Sequence, residues 1–159
     1  MRLFKQREHL QICGRWRLTA RHTVTGEVIV KEGENLIVTV GKALVGELLI
    51  DRPGYDTGLT VQAIGTNAAA PVIGNTTLGT ETARKAITSR TREVNEITLS
   101  TFFTAAQSTF NIKEAGVFGH STADPATPGS GILASHWLVS FDNSAGTYDL
   151  TFDLVWTIG

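Results

Sequence analysis

The sequence predicts an all-β protein: a single antiparallel β-sandwich, or jelly roll, with one short helix and a basic N-terminal arm. The last strand alternates strictly between apolar and polar residues, and Thr and Gly are abundant while Lys is scarce. Roughly seven to nine strand-like segments follow one another at the short spacing typical of sandwiches. An open α+β sheet is the second choice. We expect residues 1–12 to form the arm and residues 13–159 the sandwich.

The clearest strand lies at the end of the chain. From Tyr148 to Ile158 the even positions are apolar, and the odd positions are polar except for Val155. A period of two places one set of side chains on each face of a strand, whereas a helix would scatter them. The sequence therefore predicts a half-buried strand. Its expected inward face is Leu150, Phe152, Leu154 and Trp156.

Two further strand pairs are expected upstream. Residues 131–141 alternate in the same way, and residues 142–146 are rich in turn formers, so we predict a hairpin with the last strand. Residues 96–104 also alternate. Residues 85–92 are the predicted partner strand of that segment.

The first half of the chain contains another hairpin and the helix. Residues 15–24 form a predicted strand with one cationic face, and Thr25-Gly26 turns the chain into residues 27–31. A short helix is predicted over residues 42–50. A strand is expected from Leu59 to Ile64. The small-residue segments 66–80 and 120–131 are predicted loops, with one helical turn at residues 78–84.

Composition excludes several classes of protein. The chain has 159 residues, a net charge of −1, 42% hydrophobic and 18% charged residues. This balance argues against bulk binding to nucleic acid or to a membrane. No apolar stretch is long enough for a transmembrane helix, and the charged N-terminus does not look like a secretory signal. With one cysteine, Cys13, neither an internal disulfide nor a cysteine-based zinc site is expected.

The charges are unevenly distributed. Residues 1–22 hold six basic side chains against one acidic, and no Lys or Arg follows Lys113. Three interpretations stay open: the basic start and the acidic end pair between neighbouring copies, they pair within one chain, or both are simply solvated.

The sequence offers no catalytic constellation, so we expect neither an enzyme nor a cofactor. No two histidines lie three or four residues apart, as a helical metal pair requires. Asp149 and Asp153 lie on one strand face roughly 13 Å apart, which is too far for the paired carboxylates of a glycosidase. No nucleophile elbow or phosphate-binding loop is present.

The remaining candidate residues have ordinary structural interpretations. His22 is expected on an inward strand face, His136 at solvent or at an interface, and His120 in a loop. Cys13 is expected to be a small buried thiol. The tryptophans Trp16, Trp137 and Trp156 are expected in the core.

Several short motifs occur in an order typical of one family. They are Asn35-Leu36-Ile37, Gly65-Thr66, residues 114–118 (EAGVF) and the final Trp156. Over residues 14–159 this order resembles a widespread family of small structural proteins of tailed bacteriophages, described as tail-fibre-like or head-associated. We also expect Glu114 to accept hydrogen bonds from nearby loop amides.

The resemblance implies a protein on the exterior of a virion that is assembled in the bacterial cytoplasm. It would be a capsid decoration (cement) protein, which we favour slightly, or a neck, baseplate or tail-fibre component. The implied partners are other copies of the chain, as a trimer, and the major capsid, neck or tail proteins. The alternative function is a carbohydrate-binding module for host recognition. Such a module is expected to carry two or more exposed aromatics on one loop edge, and having Tyr55 as the one loop aromatic weakens this alternative.

Seven residues are predicted to bind partner proteins. The arm supplies cationic side chains and one aromatic anchor, the first strand supplies its cationic face, and one aromatic side chain points outward from a later strand. These residues are Arg2, Phe4, Lys5, Arg7, Arg15, Arg17 and Phe102.

Overall fold

Two five-stranded antiparallel sheets face each other in the computed structural model, which describes residues 10–159. The strands in chain order are β1 (Ile12–His22), β2 (Val28–Glu34), β3 (Leu36–Ile37), β4 (Leu59–Gly65), β5 (Glu81–Ala86), β6 (Ser89–Glu93), β7 (Glu96–Phe103), β8 (Asn111–Gly119), β9 (Ile132–Asp142) and β10 (Tyr148–Ile158). Sheet 1 has the order β2-β1-β10-β7-β6, and sheet 2 the order β3-β9-β8-β4-β5. The predicted all-β sandwich is confirmed.

The main core lies between the two sheets. Leu150, Phe152, Leu154 and Trp156 of β10 are all buried, so the predicted inward face of the last strand is confirmed. They pack with inward side chains from the facing sheet, including Trp137 of β9. Since β10 is the central strand of sheet 1, its alternation fixes which face of that sheet meets the core.

A helix packs against β9 of sheet 2 and lines one end of the sandwich. This helix, α1 (Thr39–Leu49), begins three residues before the predicted segment. It approaches β9 closely at Gly41, where an added Cβ would lie 2.2 Å from the carbonyl oxygen of Ala134. A second apolar cluster fills this region and consists of Val38, Val61, Ala63, Leu78, Phe118 and Leu133.

Two local predictions are wrong and a third is right in part. β9 and β10 belong to different sheets, so residues 143–147 cross the sandwich instead of closing a hairpin. Residues 78–84 form no helical turn, and residues 81–84 belong to β5. Residues 89–92 pair with β7 as predicted, within β6, but residues 85 and 86 belong to β5 in the other sheet. Alternation identifies a strand without indicating which neighbour it takes.

The N-terminal hairpin is confirmed. β1 pairs with β2 through a turn in which Gly26 has a φ of +72°, a conformation that glycine adopts without strain. β1 also pairs along its whole length with β10. Gln11 and Gly159 exchange both backbone hydrogen bonds, at 2.7 and 2.9 Å, so regular pairing already exists before residue 13.

Candidate functional site

The outer face of sheet 1 holds two of the predicted partner-binding residues. Arg15 and Arg17 are exposed on β1, as expected from the cationic alternation. Arg15 Nη2 lies 3.3 Å from Glu96 Oε1, and Arg17 Nε lies 3.5 Å from Glu32 Oε1. Both arginines are therefore paired with carboxylates of the same chain. Exposed pairs of this kind contribute only about 0–1 kcal/mol, so a carboxylate of another protein can replace them.

Phe102 lies on the same face but at a distance. Its side chain is 38% exposed, and the Lys85 ammonium lies 5.7 Å from its ring centre. Glu96, the partner of Arg15, is six residues away on the same strand, which corresponds to roughly 20 Å. The sheet therefore presents the arginines and Phe102 as separate contact points. The other four predicted residues, Arg2, Phe4, Lys5 and Arg7, lie outside the described residues.

A buried carboxylate holds the loop of residues 66–80 against sheet 2. Glu114 on β8 is 1% exposed. Its Oε1 accepts hydrogen bonds from the backbone N–H groups of Thr80 at 2.6 Å and Asn67 at 3.4 Å. Its Oε2 accepts one from Gly79 N–H at 2.9 Å. The expectation that Glu114 binds loop amides is confirmed.

His136 on β9 completes this network from the other side. Its Nε2 lies 3.0 Å from Glu114 Oε2, and its Nδ1 lies 3.0 Å from Asn75 Oδ1. Asn75 Oδ1 in turn accepts a hydrogen bond from Val72 N–H at 2.8 Å. The prediction of a solvent-facing or interface His136 is wrong. The residue does point away from the sandwich core, but the loop covers that part of the outer face.

Burial sets the protonation of His136. Because desolvation disfavours the imidazolium, it lowers the pKa of His136, and the Glu114 carboxylate counteracts this only in part. The neutral ring with hydrogen on Nε2 donates to Glu114. Protonation would add a donor at Nδ1, facing Asn75 Oδ1, but it would place a second charge in a dry site.

The anchored loop presents apolar residues at its tip. Val72 and Ile73 are 57% and 53% exposed, and Ile73 O accepts a hydrogen bond from Thr39 N–H at 2.9 Å. Buried bonds thus fix the loop at both ends and beside α1, so its tip is held in one place. Such a preorganised apolar tip suits a contact with another protein.

Arg84 organises the second long loop in a similar way. Its Nη1 donates to the carbonyl oxygens of Asp124 at 2.8 Å and Thr127 at 2.6 Å, and also contacts Ser130. Its Nε donates to Glu81 Oε1 at 2.7 Å, and its guanidinium lies 4.8 Å from the Phe118 ring centre. The Arg84 side chain is 3% exposed. One buried cation therefore holds residues 124–130 against β5.

An apolar groove of about 730 Å³ opens at one end of the sandwich. It lies between α1 and the ends of β1, β7 and β10, and the described residues leave it open. Leu49 on its rim is 71% exposed. Its apolar wall includes Leu48, Leu49, Leu59, Ile97, Trp156 and Ile158.

Within residues 10–159, no three His, Cys, Asp or Glu side chains come together as a metal site. His120 packs against Tyr55 with the rings tilted and their centres 4.7 Å apart, and its Nδ1 is hydrogen-bonded to the Thr122 hydroxyl. In the same range, no helix is long and apolar enough to cross a membrane. Cys13 is exposed, so the prediction of a buried thiol is wrong.

The carbohydrate alternative requires exposed aromatic side chains clustered on one loop edge. In the described part of the chain the large exposed aromatic is Phe102, which lies on a strand. Tyr55 is half-buried against His120. The three tryptophans are buried, as predicted.

Sequence reasoning missed Arg84, Asn75 and the groove. No periodicity marks Arg84 as buried, because it lies on a strand, β5, whose outward face is covered by a distant loop. The groove combines residues from six elements, most of them far apart in sequence. Leu49 and Ile50, two exposed apolar residues at the end of the helix, are the one local feature that indicates the groove.

Comparison of the chain with protein-family models, with curated proteins and with solved structures gave no match.

Proposed function

We propose that the chain is a structural protein on the exterior of a tailed-phage virion, acting through repeated contacts between proteins. A capsid decoration protein is the preferred form, and a neck, baseplate or tail-fibre component is the other. The order of short motifs over residues 14–159 suggests the family. The fixed, apolar-tipped loop of residues 66–80 is the observation that carries the proposal.

The physical argument concerns how buried polar groups are used. A buried carboxylate and a buried arginine are costly unless they are fully paired. Here both are paired, and both hold surface loops in place: Glu114 holds residues 66–80, and Arg84 holds residues 124–130. Neither side chain lines the apolar groove. Rigid loops of this kind favour a binding surface that is presented unchanged in every copy.

The proposed partners are further copies of the chain, arranged as a trimer, and a major capsid, neck or tail protein. Contacts between identical copies in a closed assembly repeat the same surface patches. The candidate patches are the Val72–Ile73 tip, the arginine face of β1 and Phe102. The arm residues Arg2, Phe4, Lys5 and Arg7 are proposed to add a further contact.

The proposal is tested by fractionating a lysate that contains both the phage and the chain. We expect the chain to sediment with the particles in a density gradient. It should also stay with them through a wash at about 0.5 M salt, a concentration that screens surface charges within a few ångströms. The test variant is Val72→Asp, which introduces a charge at the loop tip and should reduce incorporation. Recovery of the parent chain only in the soluble fraction would contradict the proposal.

A further inference from the structure

We infer that the apolar groove binds residues 1–9 of a neighbouring copy, with Phe4 as the anchor. This inference specifies the self-contact that the proposed function requires, and it rests on that function for its role in a particle. The occupant is a segment of this chain, MRLFKQREH, which lies outside the described residues.

The groove has the properties of a peptide-binding site. Most of its wall is aliphatic or aromatic, and Leu49 is 71% exposed at its rim. A peptide segment brings apolar side chains for such a wall.

The N-terminal segment matches this site in composition and position. Leu3 and Phe4 are adjacent apolar side chains, and an aromatic residue in an apolar pocket is a frequent anchor of protein interfaces. The segment joins the fold at the groove itself, because Ile12 at the start of β1 is one of the lining residues. Nine residues span at most about 30 Å when extended, which is enough to reach an adjacent copy.

The geometry favours the neighbour's groove over the chain's own. Gln11 is paired with Gly159 through both backbone groups, so β1 leads straight out of the end of the sheet. Leu10 is 68% exposed beyond it. Entry into the same chain's groove needs a reversal just before Gln11. Residues 1–11 contain no Gly, Pro, Asn, Asp or Ser, the residues that form tight turns.

Charge does not explain the contact. The lining contains Arg90 and Arg92 but only one acidic residue, Asp56. Arg90 Nε donates to Leu59 O and Arg92 Nη1 donates to Val94 O. The groove therefore offers too few carboxylates to pair with the cationic side chains of the arm, and binding depends on the apolar anchor. High salt should weaken it little.

The test uses the purified full chain under reducing conditions, since Cys13 is exposed. Sedimentation velocity measures self-association of the parent and two variants. Phe4→Ala removes the anchor, and Leu49→Asp places a charge in the groove at an exposed position where folding is preserved. Each variant alone should weaken self-association roughly 30-fold, the loss of one interface anchor. The controls are Gln6→Ala in the arm and Val24→Asp, on a residue 87% exposed in the β1–β2 turn.

Mixing the two variants decides the arrangement. Phe4→Ala keeps a working groove, and Leu49→Asp keeps a working arm, so an equimolar mixture should form a one-to-one heterodimer at concentrations where neither variant alone self-associates detectably. A parent chain that stays monomeric at high concentration would overturn the inference, as would self-association that neither variant weakens. These outcomes are independent of particle incorporation, so failure here and failure of the proposed function are distinguishable.

Discussion

Glu114 Oε2 lies 3.0 Å from His136 Nε2 in a site where both side chains are at most 4% exposed. The same carboxylate accepts hydrogen bonds from three backbone amides of the loop at residues 66–80. One acidic side chain therefore joins β8, β9 and a surface loop. The presentation of the Val72–Ile73 tip depends on this link.

Glu114→Gln should destabilise the protein and loosen the loop. The amide group has one acceptor oxygen instead of two, so at least one loop amide loses its charge-assisted partner, at a cost of about 2–3 kcal/mol in the free energy of unfolding. Urea denaturation measures the loss, and hydrogen exchange should accelerate more at Gly79 and Thr80 than at Phe152, whose amide follows only the global loss of stability. Glu93→Gln, on an exposed strand, is the matched control. Unchanged hydrogen exchange at the loop amides would show that Glu114 does not hold the loop.

Acid should destabilise the fold through His136. Burial lowers the pKa of His136 below its ordinary value, so between the folded and the unfolded pKa the unfolded chain binds more protons. The stabilising contribution of the neutral ring is thus fully present above about pH 6.5 and is lost as the pH falls. Urea denaturation between pH 7.5 and 5.5, on the order of one unit either side of that value, should show this slope. His136→Gln should flatten it, and a parent-like slope in that variant would contradict the assignment.

Phe152→Ala should be strongly destabilising. Phe152 is fully buried in β10 and packs edge-on against Phe103, with ring centres 6.1 Å apart. Removing it leaves a cavity between the sheets, and we expect a loss of about 3–5 kcal/mol in the free energy of unfolding. Phe102→Ala, at the exposed neighbour of Phe103, is the control and should cost far less. A thermal melt that is equal for both variants would contradict the inward placement of Phe152.

Arg84→Lys should release the loop of residues 124–130. A lysine ammonium cannot bind Glu81 and the loop carbonyls at once in the planar arrangement of a guanidinium, so a loss of about 1–3 kcal/mol is expected. Limited proteolysis should cut the variant within that loop sooner than the parent. Arg90→Lys provides an exposed arginine as control. Equal cleavage rates would show that Arg84 does not restrain the loop.

The strands that the sequence predicts well are those with one buried face and one solvent-exposed face. β10 meets this condition along its whole length, and its predicted inward face is confirmed. In β1 the predicted burial of Trp16 is confirmed, whereas His22 at the end of the strand is only half-buried. β9 alternates too, but nothing in its local pattern tells whether it pairs with β10 or with β8. That choice is made by packing across the whole sandwich.

The site was less predictable because distant segments build it. His136 lies on the face opposite Trp137, as alternation implies, yet it is buried since a loop 61 residues away places Asn75 against it. Glu114 was recognised through its motif and its acceptor chemistry. Arg84 has no comparable signal, because its bonds go to the backbone of a loop whose conformation the sequence pattern does not indicate.

The number of copies of the chain per purified particle tests the central claim most directly. Quantitative mass spectrometry of gradient-purified, salt-washed particles, calibrated against the major capsid protein, gives this number. A virion structural protein built from trimers should show a constant copy number that is a multiple of three in independent preparations. A chain that is absent from the particles, or whose amount varies between preparations and falls with each wash, would contradict the account.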